Sequence, residues 1–448
     1  MKWTRKDLLS LFPSHRGAEH EISINEVFID SRKSARHALF VPIVGETFDG
    51  HDFLLDAIQR GAVAALWQKN RDVPGEVPLD FPLFFVDDTL EGLQRFARQY
   101  LRRVHPKVIA VTGSNGKTTT KDMIECVAAT RFLTHKTKGN FNNHIGMPLT
   151  ILEMPENCEM LILEMGMNHF GEISFLSQLA EPDLAVITNI GESHIEFLGS
   201  REGIAKAKME IADGLKADGK LIFDGDEPLL DSLRSRPSLS CGFTERNDLQ
   251  VTLLESKDTS MRFTLNDENC VFELPVFGKH NVKNAAYAIA VGREAGVSDA
   301  EMAKAIKTVK LTAMRFQQVQ GEKGTLLIND AYNASPTSMK ASIQAVKALP
   351  RFRRRVLVLG DMHELGAEER SLHESVADSI EAPITDVVTI GSRARWIAEA
   401  VKNVRVQSVD DKEAAAEVIE PMLSNDTVIL FKASRAVSLE ALVERFSV

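Results

Sequence analysis

A glycine-rich segment between an apolar run and a helical pattern contains residue types that suit phosphate binding. The run Val108–Val111 leads, after one threonine, into Gly113, Ser114, Asn115, Gly116, Lys117, Thr118 and Thr119. Glycines allow backbone N–H groups to close around phosphate oxygens, and the start of the following helix adds a favourable partial charge. The Lys117 ammonium suits the outer phosphates, and the Thr118 hydroxyl can ligate Mg²⁺. The segment predicts a nucleotide-phosphate site, with a chance turn as the alternative.

Two further apolar runs end near residues that can bind a metal. Leu161–Leu163 is followed directly by Glu164, and Leu184–Ile187 is followed a few positions later by His194. Short, unalternating apolar runs are typical of parallel strands, and ligand groups gather at the carboxyl ends of such strands. A lone carboxylate at a strand end is more often simply solvated. Three strand ends that deliver an amine, a carboxylate and an imidazole to one edge nevertheless predict a shared site.

Two lysines in a later helical pattern, Lys206 and Lys208, cannot both face this site. They are two positions apart, so on a helix their side chains point about 200° away from each other. At most one can face inward, and spacing alone favours two surface lysines.

Polar residues also cluster around the predicted start of the last third of the chain. Asn281 opens a helical pattern, where its amide suits a purine edge or a plain helix cap. Arg315 lies near a predicted boundary. Asp330 follows an apolar run and precedes Tyr332 and Asn333, a pattern that fits either a ligand-binding cluster or a capped turn.

Composition limits the classes of protein and partner. The 448 residues are 44% hydrophobic and 26% charged, with a net charge of −10. The acidic balance argues against nucleic-acid binding, which usually needs a basic surface. The four cysteines are far apart, which fits a reducing compartment without a zinc site. No apolar run reaches the ~18 residues of a membrane span, and no signal-type apolar core follows the first residues. We expect a cytoplasmic protein without a membrane span.

The order of strand and helix patterns predicts an α/β protein of three domains. We expect a small α/β domain at 1–83, a central parallel-sheet ATPase domain at 84–312 and a Rossmann-like domain at 313–448. Prolines, a glycine and an acid at 73–78 interrupt the first pattern and indicate a boundary region. Polar and apolar residues alternate between 249 and 274, which predicts a small antiparallel unit. The residues 281–295 that follow predict a helix that ends at Gly296.

These motifs, in this order, resemble those of the ATP-dependent Mur ligases of peptidoglycan precursor synthesis. The resemblance covers nearly the whole chain. Within this family, the chain is similar in particular to the members that add D-alanyl-D-alanine. The general phosphate-loop pattern has glycine where this chain has Val111, and the short loop of the Mur ligases accounts for that difference. The other matching segments are 29–32, 38–53, 139–148, 164–168, 330–336 and 359–366.

The resemblance implies roles for individual residues. Lys117 would hold the γ-phosphate of ATP. Thr118 and Glu164 would hold one Mg²⁺, and Glu164 and His194 a second one together with a carbamoylated Lys208. The remaining implied contacts are Asn281 near adenine, Arg315 and Asp330 at the ribose and phosphates, Ser31 and Arg32 at the uridine nucleotide, and Asn142, Asn143, Tyr332 and Asn333 at the substrates.

The implied reaction forms an amide bond. The carboxylate of UDP-N-acetylmuramoyl-tripeptide would take the γ-phosphoryl group of ATP, and the amine of D-Ala-D-Ala would attack the resulting acyl phosphate. The third domain would close on ATP and bind the dipeptide, and closure would exclude water. We expect a monomer.

Other interpretations stay open at this stage. A Mur ligase of the MurE type and a folylpolyglutamate synthase share this chemistry, but the chain has no Asp-Asn-Pro-Arg motif and does have a uridine-type first domain. A regulatory nucleotide-binding module is a further alternative. Ala433 stands where the family often has glycine, which leaves the roles of Ser434 and Arg435 open, and Ala313 replaces a common proline. The third residue of the tripeptide can be lysine or diaminopimelate.

Overall fold

The first sheet of the molecule brings together strands from the first 86 residues. The computed structural model describes residues 3–19, 21–257, 259–266 and 270–448. The first elements are β1 (Trp3–Thr4), α1 (Arg5–Leu11), β2 (His15–Arg16), β3 (Ser23–Ile24), β4 (Glu26–Phe28), β5 (Ala38–Phe40), α2 (Leu54–Gln59), β6 (Ala62–Gln68) and β7 (Leu83–Val86). The sheet order is β2-β7-β6-β5-β4, and β1 pairs with β3 in a separate two-stranded sheet.

The prediction that residues 73–78 form a boundary between two domains is wrong. This segment connects β6 to β7, and the two strands pair in parallel within the same sheet. Its prolines and glycine therefore form a surface connection inside the first domain. A division after residue 83 would also cut β7, so the first sheet extends to Val86.

Helix α3 (Thr89–Val104) joins the first domain to the central one. Asp88 caps its start by accepting a hydrogen bond from the Glu91 N–H. Its buried face shares one apolar cluster with residues of both domains. The Tyr100 hydroxyl donates to the Met154 carbonyl at 2.7 Å, and the Thr89 hydroxyl donates to the Pro42 carbonyl at 2.5 Å. The helix thus fixes the two domains against each other.

The central domain contains a nine-stranded sheet in the order β16-β15-β14-β13-β12-β11-β8-β10-β9. Strands β8 to β14 pair in parallel, and β14, β15 and β16 pair in antiparallel fashion, as the alternation at 249–274 predicts. Its elements are β8 (Lys107–Thr112), α4 (Lys117–Ala128), β9 (Thr134–Lys136), α5 (Gly146–Glu153), β10 (Met160–Glu164), α6 (Glu172–Ala180), β11 (Leu184–Ile187), α7 (Ile195–Leu198), α8 (Arg201–Met209), β12 (Lys220–Asp224), β13 (Ser238–Gly242), β14 (Leu249–Ser256), β15 (Met261–Leu265), β16 (Phe272–Leu274), α9 (Lys279–Glu294) and α10 (Asp299–Ile306).

The C-terminal domain contains a six-stranded sheet in the order β17-β18-β22-β19-β20-β21, parallel except for the β17–β18 pair. Its elements are β17 (Gln317–Gln320), β18 (Leu326–Asn329), α11 (Pro336–Lys347), β19 (Arg354–Gly360), α12 (Glu369–Glu374), β20 (Asp386–Ile390), α13 (Ala394–Ala400), β21 (Arg405–Val409), α14 (Lys412–Ile419), β22 (Thr427–Lys432) and α15 (Glu440–Phe446). Short 3-10 turns lie at Gly50–Phe53, Glu210–Ala212, Pro228–Ser235, Glu322–Gly324, Gly366–Glu368, Ser375–Ser379, Glu420–Met422 and Arg435–Val437.

The strand order places a crevice at the carboxyl end of β8. The chain continues from β8 to strands on one side of it and later to β11 on the other, and ligands of α/β sheets bind at such a switch point. The C-terminal domain lies against this crevice, and the rings of Phe277 and Phe316 meet edge to face at 4.9 Å across the contact. Within the described residues, no helix is long and apolar enough to cross a membrane.

Candidate active site

The predicted phosphate loop connects β8 to α4 in a conformation that requires its two glycines. Gly113 has φ +148° and Gly116 has φ +79°. A Cβ atom at Gly113 would collide with the Thr188 hydroxyl, and one at Gly116 would come within 2.6 Å of Asn284 Oδ1. The loop therefore approaches β11 and α9 more closely than any side chain would allow.

Residues that follow β11 hold the loop in place. The Asn115 N–H donates to Asn189 Oδ1 at 2.9 Å, and the Asn115 carbonyl accepts from the Thr188 hydroxyl at 2.5 Å. The Ser114 N–H donates to the Asn189 carbonyl at 3.1 Å. These contacts order the loop backbone, which is the part that would bind phosphate oxygens.

Lys117 is the first residue of α4, and its amine lies inside the loop. The amine donates to the Gly113 carbonyl at 2.8 Å and to the Ser114 carbonyl at 3.4 Å. Burial lowers the pKa of Lys117, and the carboxylate of Glu164 opposes that effect. Thr118 and Thr119 follow on the buried side of the helix. The carbonyls of the loop itself therefore hold the lysine amine.

Glu164 ends β10 and meets the loop at the Thr118 side chain. Its side chain is only 3% exposed. Glu164 Oε2 accepts from the Thr118 hydroxyl at 2.9 Å, and Oε1 accepts from Asn142 Nδ2 at 2.9 Å. Lys121 Nζ lies 3.7 Å from Oε2. The carboxylate is held between donors, which explains how it remains buried.

The two lysines of α8 have different surroundings. Lys208 is 2% exposed and lines the same cavity as the loop, whereas the Lys206 ammonium lies over the Phe170 ring at 6.0 Å. The expectation that at most one of them faces the site is confirmed, and the preference for two surface lysines is wrong. Burial, and secondarily the positive charge of Lys117, holds the pKa of Lys208 well below its usual value. Its amine has no hydrogen-bonding or ionic partner among the described residues.

His194 also lines the cavity, but its imidazole is turned toward the C-terminal domain. It adopts φ +64°, and its Nδ1 lies 2.6 Å from Glu364 Oε2. This contact lowers the pKa of Glu364. Across the described residues no three His, Cys, Asp or Glu side chains converge as a metal cluster.

The C-terminal domain supplies the opposite wall. Arg315 Nη2 donates to the Thr118 hydroxyl at 3.2 Å, and its guanidinium carbon lies 3.8 Å from the centre of the Tyr332 ring. Asp330 Oδ2 accepts from Lys432 Nζ at 2.6 Å and from the Ser342 hydroxyl at 2.7 Å. The N-cap of α11 is Ser335, so Asp330 does not itself cap that helix.

Asn281 lies on α9 with its side chain buried at the cavity wall. Its Nδ2 donates to the Phe277 carbonyl at 3.0 Å. Gly278 is the N-cap of this helix, so the alternative that Asn281 is a plain cap is also wrong.

These walls enclose a cavity of about 530 Å³ between the phosphate loop and the C-terminal domain. That volume lies within the range of small-molecule sites. The predicted residues that line it are Ser114, Asn115, Gly116, Lys117, Thr119, Asn142, Asn143, Glu164, His194, Lys208, Asn281, Arg315, Asp330, Tyr332 and Asn333. Gly113 and Thr118 lie directly behind this surface, within the loop and the first turn of α4.

Ser31 and Arg32 are not brought into this cavity. They follow β4 in the first domain, where the Arg32 side chain is 87% exposed. Its guanidinium forms two hydrogen bonds to Asp30, at 2.8 and 3.0 Å, and these lower the pKa of Asp30 to about 2. Ser434 and Arg435 also lie outside the cavity. The Ser434 hydroxyl accepts from the His363 N–H at 3.0 Å, and Arg435 pairs with Glu440.

Comparisons with known proteins cover all three domains. The model described as Mur ligase family, catalytic domain matches residues 23–101, and the Mur ligase middle domain matches 111–292. The Mur ligase, glutamate ligase domain matches 314–435. The UDP-N-acetylmuramoyl-tripeptide--D-alanyl-D-alanine ligase of Bacillus subtilis is 47% identical over 426 residues, which are 94% of this chain and 93% of that protein. This chain belongs to the Mur ligase family.

Solved structures of Mur ligases share the architecture of the whole chain. MurF from Acinetobacter baumannii matches with a TM-score of 0.89 and 29% identity, over 99% of this chain and 98% of that one. The MurF ligase from Thermotoga maritima, solved in complex with ADP, matches with a TM-score of 0.83 and 30% identity, over 94% of this chain and 97% of that one. The predicted three-domain α/β fold is confirmed.

Several residues at this Mur ligase cavity are not among the predicted ones. Lys432 ends β22 and pairs with Asp330, and a lysine directly after the apolar run 428–431 was the available signal. Lys283 forms an ion pair with Asp224 at the cavity wall. Burial raises the pKa of Asp224, whereas Lys283 opposes that effect. An aspartate at the end of β12 follows the same strand-end rule as Glu164, so that rule could have found it.

Proposed function

We propose that this protein joins D-Ala-D-Ala to UDP-N-acetylmuramoyl-tripeptide with ATP, yielding the UDP-pentapeptide, ADP and phosphate. The observation that carries the proposal is the 47% identity to the Bacillus subtilis ligase of that name over 94% of this chain. The cavity between the phosphate loop and the C-terminal domain supports it, because its residue types match the needs of phosphoryl transfer.

ATP would bind with its phosphates on the loop at 113–118. Lys117 would balance the charge of the terminal phosphate, and Arg315 approaches the same point from the other domain through Thr118. Asn281 would lie at the adenine, and Asp330 at the ribose and phosphate side. The relative solved in complex with ADP supports the binding of an adenine nucleotide.

The Thr118 and Glu164 oxygens fit a Mg²⁺ ion. Both are hard oxygen donors, they lie 2.9 Å apart, and they adjoin the phosphate loop. Mg²⁺ in such sites keeps water and substrate phosphates as further ligands, so a few protein ligands suffice. When bound, the ion neutralises charge that develops on the transferred phosphoryl group.

Lys208 would carry a carbamate. Burial strongly lowers the pKa of Lys208 and so favours the neutral amine, which can add to CO₂ with formation of an N–C bond and loss of one proton. The product is an anion, which would offset the positive charge of Lys117 and provide oxygens beside Glu164 and His194. These three groups would hold a second Mg²⁺ once the His194 imidazole leaves its contact with Glu364.

The reaction would proceed in two steps. An oxygen of the tripeptide carboxylate attacks the γ-phosphorus, the bond to the bridging oxygen breaks, and ADP leaves. The amine of D-Ala-D-Ala then attacks the acyl carbon, loses a proton, and expels phosphate that contains the former carboxylate oxygen. Lys117 and Arg315 would stabilise the transferred negative charge, and the C-terminal domain would keep water from the acyl phosphate.

The remaining proposed substrate contacts come from all three domains. The first domain, with Ser31 and Arg32, would bind the uridine diphosphate, while Asn142 and Asn143 of the central domain and Tyr332 and Asn333 of the C-terminal domain would face the peptide and dipeptide. ATP and UDP-linked substrates support a cytoplasmic location. One chain supplies every wall of the cavity described here, which supports a monomer.

An isotope experiment tests the proposed reaction. Tripeptide labelled with ¹⁸O in its terminal carboxylate is incubated with ATP and D-Ala-D-Ala, and the released phosphate is analysed by mass spectrometry. One labelled oxygen per phosphate is expected. Unlabelled phosphate, or phosphate release that does not require D-Ala-D-Ala, would contradict the proposal.

A further inference from the structure

Asp122 connects the phosphate-binding helix to the link between two domains. It lies on α4 four residues after Thr118 and is almost completely buried. Its Oδ2 accepts two hydrogen bonds from Thr312, one from the backbone N–H at 2.9 Å and one from the hydroxyl at 2.7 Å. Thr312 belongs to the segment that leads from α10 into the C-terminal domain.

The segment after Thr312 has an unusual backbone. Met314 and Phe316 have φ +59° and +55°, in the left-handed region that side chains rarely adopt. Residues stay in such conformations where the surroundings hold them. Here the Phe316 N–H donates to Asp330 Oδ1 at 3.1 Å. Arg315 lies between these two residues, so its direction depends on where the segment is anchored.

Arg315 returns to the same helix that anchors the segment. Its Nη2 reaches the Thr118 hydroxyl at 3.2 Å. Residues four apart lie on one face of a helix. The segment therefore contacts α4 at two points one turn apart, Asp122 for Thr312 and Thr118 for Arg315.

We infer that Asp122 is a positioning residue for Arg315. By holding Thr312 it sets the point at which the segment leaves α4, and thereby the place at which the Arg315 guanidinium meets the phosphate end of the cavity. The inference rests on the proposed function, because it assigns Arg315 to the phosphates of ATP.

The second oxygen of Asp122 offers a matched control. Oδ1 accepts from Lys136 Nζ at 2.8 Å, and the same amine also pairs with Glu125 at 2.5 Å. A role limited to stability would depend on both contacts, whereas a positioning role depends on the Thr312 contact. Substitutions of Thr312 and Lys136 therefore separate the two roles while leaving Asp122 in place.

The experiment measures D-Ala-D-Ala-dependent ADP formation and thermal unfolding of four proteins. We expect Thr312→Val to lower kcat about tenfold, as for the loss of one hydrogen bond to a carboxylate. Thr312→Ser, which keeps the hydroxyl, should restore kcat to within about twofold of the original protein. Lys136→Met should lower Tm with little change in kcat. If Thr312→Val lowered Tm but left kcat unchanged, the inference would be overturned.

A double substitution tests whether Thr312 acts through Arg315. In an Arg315→Ala background, Thr312→Val should have little further effect on kcat, because the group that it positions is gone. If Thr312→Val lowered kcat by a further tenfold in that background, the inference would be overturned. An original protein that forms no ADP with D-Ala-D-Ala would instead refute the proposed function, so the two failures are distinguishable.

Discussion

Glu192 of the central domain and Thr337 of the C-terminal domain are joined by two hydrogen bonds. The Thr337 N–H donates to Glu192 Oε2 at 3.0 Å, and its hydroxyl donates to Oε1 at 2.8 Å. Thr337 lies in the first turn of α11, where N–H groups lack partners within the helix and a carboxylate is favoured. The contact holds the two walls of the cavity together at the loop that also carries His194.

Glu192→Ala should weaken the contact between these domains. The loss of two hydrogen bonds to a charged acceptor, about 1–2 kcal/mol, should lower kcat/KM about tenfold. Small-angle scattering should show a larger radius of gyration for the variant. Thr337→Val in the same background should add little, because the partner is already absent. The control is Glu196→Ala, since that exposed side chain has no polar partner among the described residues. Equal effects of both substitutions would argue against a specific contact.

Lys117→Ala should nearly abolish ligation. The amine lies inside the phosphate loop, and loss of a group that stabilises transferred charge typically costs about 10²–10³-fold in kcat. ADP release in the presence of both peptide substrates is the measurement. Lys206→Ala, which removes the exposed lysine over Phe170, should keep normal turnover. Near-normal turnover of Lys117→Ala would remove the phosphate-loop assignment.

The local sequence was sufficient to predict where the phosphate loop lies. The position of Glu164 followed from the rule that ligand groups gather at the carboxyl ends of parallel strands. The glycines, Lys117 and Thr118 are adjacent in sequence, so the strand-loop-helix pattern alone positions them. Glu164 lies at a strand end, and parallel strands bring their carboxyl ends to one edge. The residues that were missed or misjudged depend on packing between distant segments. The rotation of α8 decides which lysine is buried, and the sequence spacing of Lys206 and Lys208 contains no information about it.

Contacts between segments that are distant in sequence could not be predicted, for the same physical reason. The partners Asp330 and Lys432 are about a hundred residues apart, and their pairing depends on β18 and β22 being neighbours in the sheet. Likewise, the segment at 73–78 has the composition of a linker, but the pairing of β6 with β7 makes it an internal connection.

Lys208→Met should make the protein more thermally stable near neutral pH in buffer free of CO₂. Burial holds the pKa of Lys208 well below that of an unfolded lysine, so folding within the pH range between the two values removes a proton from this group. The unfolded state binds more protons, so the stability of the original protein rises with pH up to the unfolded pKa. The difference in Tm between the two proteins should therefore shrink as the pH rises toward about 10. If the difference in Tm between the two proteins did not change with pH, the lowered pKa of the buried Lys208 amine would be contradicted.

Addition of bicarbonate should stabilise the original protein but not Lys208→Met. The carbamate forms only on the native lysine, so binding of CO₂ raises the free energy of unfolding of that protein alone. Lys208→Ala should be nearly inactive, and short carboxylic acids should partly restore its turnover. Full activity of Lys208→Ala without such additions would refute the carbamate.

Glu164→Gln should raise the Mg²⁺ concentration required for half-maximal activity. The amide keeps the shape of the carboxylate but loses the charge that attracts the ion beside Thr118, and we expect a shift of about ten- to a hundredfold. A titration of activity with MgCl₂ measures it. Glu172→Gln is the control, because that carboxylate also lines the cavity, and its polar contacts within the described residues are with the Asn168 N–H and His169. An equal shift in both variants would indicate a general charge effect.

Lys432→Met should destabilise the C-terminal domain more than an exposed ion pair would. Its amine and Asp330 are almost buried, and removal of one partner leaves an uncompensated charge in a poorly solvated place. Such losses cost about 3–5 kcal/mol. Lys347→Met, which removes the contact with the largely exposed Glu381, should cost less than about 1 kcal/mol.

Urea unfolding of both variants, followed by tryptophan fluorescence, supplies the comparison, because Trp396 lies on α13 of the same domain. Asp330→Asn in the Lys432→Met background should recover part of the loss, since it removes the unpaired charge. If the double variant were less stable than Lys432→Met, the hydrogen bonds that Asp330 accepts from Ser342 and Phe316, and not the ion pair with Lys432, would hold the carboxylate at the cavity wall.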